Sequence, residues 1–304
     1  MARFVQMLQR SGVFADQHFM VVPKGGFNLV YLRDAAGCQL VHDARLKVRD
    51  VKFDDIERIA TEYLRGRALG PDHDDRLLRL RTAMYGGIAQ QAKGRLLQVR
   101  ENGTGIPVLA ATQGGSVVQL DVAIMDRKEY TVAFRFLKHT DASRSVVPLT
   151  KRTPADVPRW IDQLNWIYGA QANVFFHKFD AEWISLPAPA PQPMSFEYFE
   201  KALVGYRQKG ADLTCFLVGK YKGAANGSEA AGSYSDLHKA CVLDDGPNTG
   251  IFDDAPYDSF IGVMAHEFMH FAGGSHHDRG RLLMSRGLET MEFDKQLVVQ
   301  INAW

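Results

Sequence analysis

Residues 266–276 read His266-Glu267-Phe268-Met269-His270-Phe271-Ala272-Gly273-Gly274-Ser275-His276. Three imidazoles stand there at intervals that suit one metal ion. His266 and His270 are four apart, so on a helix they share a face, one turn from each other. Two imidazoles so placed can bind one small cation. Glu267 follows the first of them, near such a cation but not its ligand, where a general base for an activated water stands. Gly273 falls where the helix should end. Glycine takes positive φ without steric cost, so the chain can turn back sharply there. That turn can return His276 as a third ligand. His277, next in the chain, is the alternative if the loop slips, but the Gly273 spacing favours His276. Three neutral nitrogens leave a fourth tetrahedral position open to water, which marks a catalytic rather than a structural zinc site. With 10 His and 27 Gly in 304 residues, a chance match to the five fixed positions has odds on the order of 10⁻⁴ or less.

The pattern HExxHxxGxxH of residues 266–276 resembles the signature of the metzincin zinc endopeptidases, among them matrix metalloproteinases, astacins and adamalysins. That family has a methionine turn beneath its metal. Here Arg281-Leu282-Leu283-Met284-Ser285 follows, with Met284 eight residues after His276, a spacing similar to the matrix metalloproteinase-like branch. The resemblance implies one catalytic Zn2+ held by His266, His270 and His276. It implies Glu267 as general base, with Gly273 and Met284 as structural residues of the site. The implied activity is a metalloendopeptidase that hydrolyses peptide bonds of a protein or peptide substrate through a zinc-activated water. The implied fold is α+β, a catalytic domain with a mixed sheet, an active-site helix and a C-terminal helix. The resemblance extends over roughly residues 120–304, with motif evidence confined to Gly262–Met284.

The sequence also departs from the family. Astacin-like members carry a tyrosine two residues after the methionine, where this chain has Arg286. No tyrosine is therefore assigned to the oxyanion. Arg286 is read as a solvated side chain before a substrate contact. Asp278 is a candidate hydrogen-bond partner for a ligand imidazole. Cys38 could offer a thiolate to the metal in the manner of an inhibitory N-terminal segment, but its neighbours do not match the family's switch motif.

The elements that must carry the site follow from periodicity. Ile261, Ala265, Phe268 and Ala272 give the active-site helix an apolar face, with an entry near Asp254 or Ala255. Thr153-Pro154-Ala155-Asp156 reads as a helix start, with Val157, Ile161, Leu164 and Tyr168 as the stripe behind it. Strands are expected at Ala172–Phe179, Leu213–Gly219 and Ala240–Asp244, and a short helix at Ser195–Arg207. Leu186–Pro193 reads as an extended connector and Gly223–Gly232 as an irregular loop. Thr290–Trp304 carries a closing helix with Phe293, Leu297, Val298 and Ile301 inward. Val118–Ile124 and Val132–Phe136 alternate across Asp126–Glu129 and read as a hairpin. By analogy with the family, Ala240–Asp244 or the chain just before it is the candidate edge strand for pairing with substrate.

Upstream, the spacing predicts strands at Phe19–Pro23 and Phe27–Leu32. Helices follow at Asp54–Arg65, with Ile56, Ile59, Ala60, Tyr63 and Leu64 inward, and at Asp72–Lys93, with Leu77, Leu80, Met84 and Ile88 inward. Residues 1–110 form an N-terminal module of mixed α/β character, a pro-segment, recognition or delivery piece, and residues 111–304 the catalytic domain. Glu101–Pro107 is the turn-rich boundary.

Composition is that of an ordinary globular protein, 46% hydrophobic and 23% charged. A formal net charge of +1 supplies no global field for nucleic acid. Three cysteines, Cys38, Cys215 and Cys241, cannot all pair and read as free thiols of a reducing compartment. Met1–Phe19 has no Sec-type signal pattern and no segment is long and apolar enough to span a bilayer, so the cytoplasm is the default, with non-classical secretion left open. Oligomeric state leaves no mark in the sequence. Two further readings keep the metal site: an effector or toxin protease delivered by a specialised secretion system, and a catalytically silent zinc-binding module. The presence of Glu267 argues against the last, since a structural site needs no base.

Overall fold

The computed structural model describes residues 2–6, 18–65, 73–89, 94–141, 143–188, 190–223, 231–245, 259–276 and 295–302. They fall into two compact units. The first is Met1–Lys128 with Tyr168–Val174; the second is Glu129–Ile167 with Phe175–Trp304. Both mix helices and strands. Among the described residues no helix is long and apolar enough to cross a membrane.

In the first unit, strands β1 (Arg3–Gln6), β2 (Phe19–Pro23), β3 (Phe27–Arg33), β4 (Gln39–His42) and β5 (Leu46–Asp50) precede helices α1 (Ile56–Arg65) and α2 (His73–Ala89). Strands β6 (Gly94–Glu101), β7 (Val108–Gln113) and β8 (Ser116–Met125) follow. They make two four-stranded sheets, β1-β3-β6-β5 and β2-β8-β7-β4. Alternate residues of both sheets meet in one core, with Phe4, Val30, Leu32, Leu97 and Val99 from one, and Val22, Leu109, Leu120 and Val122 from the other. Cys38 packs against that core. The stripe expected on α1 is buried as the spacing requires.

The expected hairpin between Val118–Ile124 and Val132–Phe136 does not form. Strand β8 turns back on β7 instead, through Gly114 and Gly115, both at positive φ. A two-residue loop with positive φ at both positions matches the twist of paired strands. The Asp126-Arg127 link has no glycine to do this. Strand β8 then pairs in parallel with β2.

The second unit holds β9 (Lys128–Thr140) from its second residue, β10 (Val146–Pro148), α3 (Val157–Ala172) as far as Ile167, and β11 (Val174–Leu186) from Phe175. The α3 start is as the sequence predicts: the Thr153 N–H donates to the Asp156 carboxylate at 2.8 Å, with Pro154 opening the first turn. A short helical segment from α4 (Phe196–Tyr198) to Tyr206 precedes β12 (Leu213–Val218), β13 (Gly232–Ser235) and β14 (Ala240–Asp244). Helices α5 (Ser259–Phe271) and α6 (Lys295–Asn302) close the described chain.

The sheet order is β10-β9-β12-β14-β13, with β11 also on β9. Strands β9, β12 and β14 are parallel neighbours, and β10 and β13 are antiparallel to theirs, so the sheet is mixed. One face packs Leu137, Phe216, Val218, Ala240 and Val242 on Phe199 and Leu203. The other face presents Phe134, Phe136, Cys215, Leu217, Cys241 and Leu243. Trp160 of α3 lies 6.0 Å from Phe134 and 4.9 Å from Phe260 of α5, ring centre to ring centre. Helix α5 is buried on almost every side, with Ile261, Ala265 and Phe268 fully inside. Strand β14 is interior, and among the described strands the edge on this side is β13. Of the two sequence candidates for the edge, the chain before Ala240 has that place.

Candidate metal centre

Helix α5 sets His266 and His270 one turn apart, with ring centres 4.9 Å from each other. The helix then ends in a double reversal. The Gly274 N–H donates to the Met269 carbonyl at 2.9 Å and the Gly273 N–H to the His270 carbonyl at 3.1 Å. Gly273 holds a φ of 94°. This is the six-to-one and five-to-two pairing of a Schellman end, which needs a left-handed residue where glycine is cheapest. Gly274 is required for a different reason. A Cβ there would stand 2.6 Å from Met269 Cγ and 2.8 Å from Leu297 Cδ1, so the turn closes only on a bare backbone.

The reversal returns His276 to the helix. Its Nε2 lies 2.9 Å from His266 Nε2 and 3.2 Å from His270 Nε2. Nitrogens bound at about 2.0–2.1 Å to one tetrahedral zinc would be roughly 3.3 Å apart. The three imidazoles therefore fit a single ion of that size. His270 Nδ1 lies 3.0 Å from the Gly274 carbonyl. A carbonyl only accepts, so Nδ1 carries the proton and Nε2 is left bare toward the other two rings. The group grades from buried His266 through half-buried His270 to exposed His276, which leaves solvent access on one side. Burial first, and then the charge of His276, push His270 down to about 4, against a smaller opposing effect of the Gly274 hydrogen bond. The imidazole is therefore neutral across the neutral range.

Glu267 is 6% exposed. Burial pushes its carboxyl up to about 8, and a cation at the adjacent imidazoles would favour the ionised form again. The carboxylate lies along the backbone of β13. A Cβ on Gly232 would meet Glu267 Cγ at 3.0 Å and Oε1 at 3.1 Å. Sequence reading placed Gly232 in an irregular loop, yet it is the first residue of an edge strand. Its signal was a glycine in front of Ser-Tyr-Ser, which marks close backbone approach. Gly274 and Tyr234 are also absent from the sequence expectations. The Tyr234 ring lies beside His270, with centres 6.4 Å apart.

Met284, Asp278, Arg286 and His277 lie outside the described residues, as do the Asp254–Pro256 helix entry and Phe293. Helix α6 supplies Leu297, Val298 and Ile301, all fully buried.

No protein-family model matches this sequence, and no curated protein matches it significantly. Among solved structures, similarity is found to a zinc-dependent peptidase from Methanocorpusculum labreanum at 14% identity and a TM-score of 0.39, over 57% of this chain and 100% of the other. Archaemetzincin from Methanopyrus kandleri is similar at 13% identity and a TM-score of 0.36, over 58% of this chain and 94% of the other. Metalloproteinase-II from Bacteroides fragilis is similar at 10% identity and a TM-score of 0.33, over 99% and 90%.

Proposed function

We propose that this chain is a zinc-dependent metalloendopeptidase of metzincin type, with one zinc ion held by Nε2 of His266, His270 and His276. The observation that carries the reading is the convergence of three imidazole nitrogens beside a buried carboxylate, on a helix flanked by a sheet edge. The donor set is all imidazole, which suits zinc and leaves a coordination position for the reaction.

A zinc ion in that place would supply positive charge to acidify water and stabilise a developing oxyanion. The protein groups do the rest. Strand β13 offers main-chain N–H and C=O groups to an extended peptide, which aligns the scissile bond. Glu267 accepts a proton from the attacking water as its oxygen bonds to the carbonyl carbon. The C–N bond then breaks, and Glu267 passes that proton to the departing amine nitrogen. Burial keeps the carboxylate close to the reacting atoms and away from competing water. On this reading the second unit carries the chemistry, and the first is left for recognition, delivery or inhibition of the kinds the sequence raised.

The test is zinc content and cleavage of an unfolded general protein substrate, for the wild type and for Glu267→Gln. One zinc per chain in both is expected, with turnover in the variant lower by roughly 10²- to 10⁴-fold, the usual worth of a positioned base. A folded wild type that takes up no zinc would sink the reading.

A further inference from the structure

Strand β13 runs antiparallel to β14, with Gly232 opposite Leu243 and Tyr234 opposite Cys241. Residues 232 and 234 thus share the sheet face on which α5 lies. Gly232 leaves room for Glu267 there, and Tyr234 meets the next turn of the helix. Its ring is nearly parallel to the His270 imidazole, with 10° between the planes and 6.4 Å between centres. Parallel planes at that separation are strongly offset, so the two rings meet along their edges. Phe271 meets the same tyrosine edge-on at 6.3 Å. The phenol is tied at its far end, where it donates to Asp236 Oδ1 at 3.2 Å. Lys239 Nζ holds the same carboxylate oxygen at 2.6 Å.

An imidazole with one hydrogen bond can still rock about that bond. For His270 the bond is the one from Nδ1 to the Gly274 carbonyl. A flat partner packed in parallel along the edge of the ring limits the rocking. The orientation matters here, because His270 stands at 85° to His266 and 89° to His276. A tilt of its plane would swing Nε2 out of the common point.

We propose that Tyr234 is a positioning residue for the metal centre, its parallel ring holding the His270 imidazole in the plane where its Nε2 meets the other two. The proposal rests on the zinc reading above. It places one determinant of a helix-borne ligand on the neighbouring sheet edge, and it makes the ring of Tyr234, not its hydroxyl, the part that matters.

The experiment compares the wild type with Tyr234→Phe and Tyr234→Thr. Zinc retention is read by chelator competition, and the ligand field by the visible spectrum of the cobalt(II)-loaded proteins. The phenylalanine variant keeps the ring and should hold zinc within about twofold of the wild type, with an unchanged spectrum. The threonine variant suits an edge strand but has no ring. It should lose about 10- to 100-fold in zinc affinity, the range for partners that orient a ligand, and its cobalt bands should shift. Equal affinity and equal spectra in all three proteins would overturn the proposal, and so would an equal loss in both variants. A second measurement needs no variant. In the metal-free wild type, proton NMR should show proximity between the ring protons of Tyr234 and His270, and its absence overturns the proposal even if the threonine protein fails to fold. Failure of the wild type to bind zinc at all would count against the zinc site instead, and the ring proximity would remain a separate result.

Discussion

Glu267 and His270 are neighbours on one helix whose burial acts on them in opposite directions. The buried acid sits at about 8, against ~4.3 for an unfolded glutamate. Between those values the folded metal-free chain binds more protons than the unfolded one, so its stability falls as pH rises. His270, at about 4 against ~6.5 when unfolded, adds stability as pH rises through that lower interval. Above about pH 6.5 the histidine contributes no further change, and the carboxyl acts alone. Metal-free wild type should therefore lose melting temperature relative to metal-free Glu267→Gln between about pH 6.5 and about pH 8. Parallel melting curves for the two proteins across that range would remove Glu267 as a buried titrating group. On the proposed zinc reading, the depressed His270 value means that metal uptake near neutral pH would displace no proton from it.

At the scale of elements, the site depends on how α5 stops. A helix that ended without the Gly273-Gly274 reversal would send Ser275 and His276 away from His266. Gly273 is needed for its dihedral angle and Gly274 for its emptiness, with Met269 and Leu297 filling the space where a side chain would go. Gly274→Ala should push the turn outward and move two things together, the His276 imidazole and the carbonyl that accepts from His270 Nδ1. Overpacking of this kind costs about 1–3 kcal/mol, and the expected loss in zinc affinity is about 10- to 100-fold, measured by chelator competition. An alanine variant with wild-type zinc affinity would show that the turn absorbs the methyl group and is not tightly set. Strand β13 is the complementary element. Its Gly232 and Tyr234, two residues apart on one face, lie against Glu267 and His270, which are three apart on the helix. The period of a strand and the period of a helix thus bring alternate residues of one against successive turns of the other.

At the scale of the molecule, the three candidate ligands and Glu267, the proposed base, belong to the second unit, while the first has its own core between two four-stranded sheets. Metal removal should act unevenly. Zinc that binds only the folded site stabilises by mass action, about 4 kcal/mol at a thousandfold excess over its dissociation constant. Chelation should therefore speed amide hydrogen exchange in α5 and β13 while the sandwich strands β3, β6 and β8 exchange as before. Equal acceleration in both units would mean that the metal holds more than its own unit together. The fully buried Arg135 of β9, paired with Asp180 of β11 at 2.6 Å, belongs to the same second unit and ties two of its strands independently of the metal.

The sequence alone determined whatever repeats along the chain with a local period or a local stop. The α1 stripe, the Thr153 helix start, the strand at Ala240–Asp244 and the spacing of His266, His270, Gly273 and His276 all belong here, because a helix face, a cap and a left-handed glycine act within a few residues. Strand partnership did not follow from the sequence. Val118–Ile124 and Val132–Phe136 alternate equally well, but alternation shows only that a strand has two faces, not which strand it joins, and the Gly114-Gly115 turn closed a different hairpin. The edge position of β13, the closeness of Gly232 to Glu267 and the ring of Tyr234 against His270 were likewise decided only in three dimensions. The last two join residues some 35 positions apart, at distances of a few ångströms, and no local preference acts over that separation. Only the packing of α5 on the finished sheet brings those side chains to the same place.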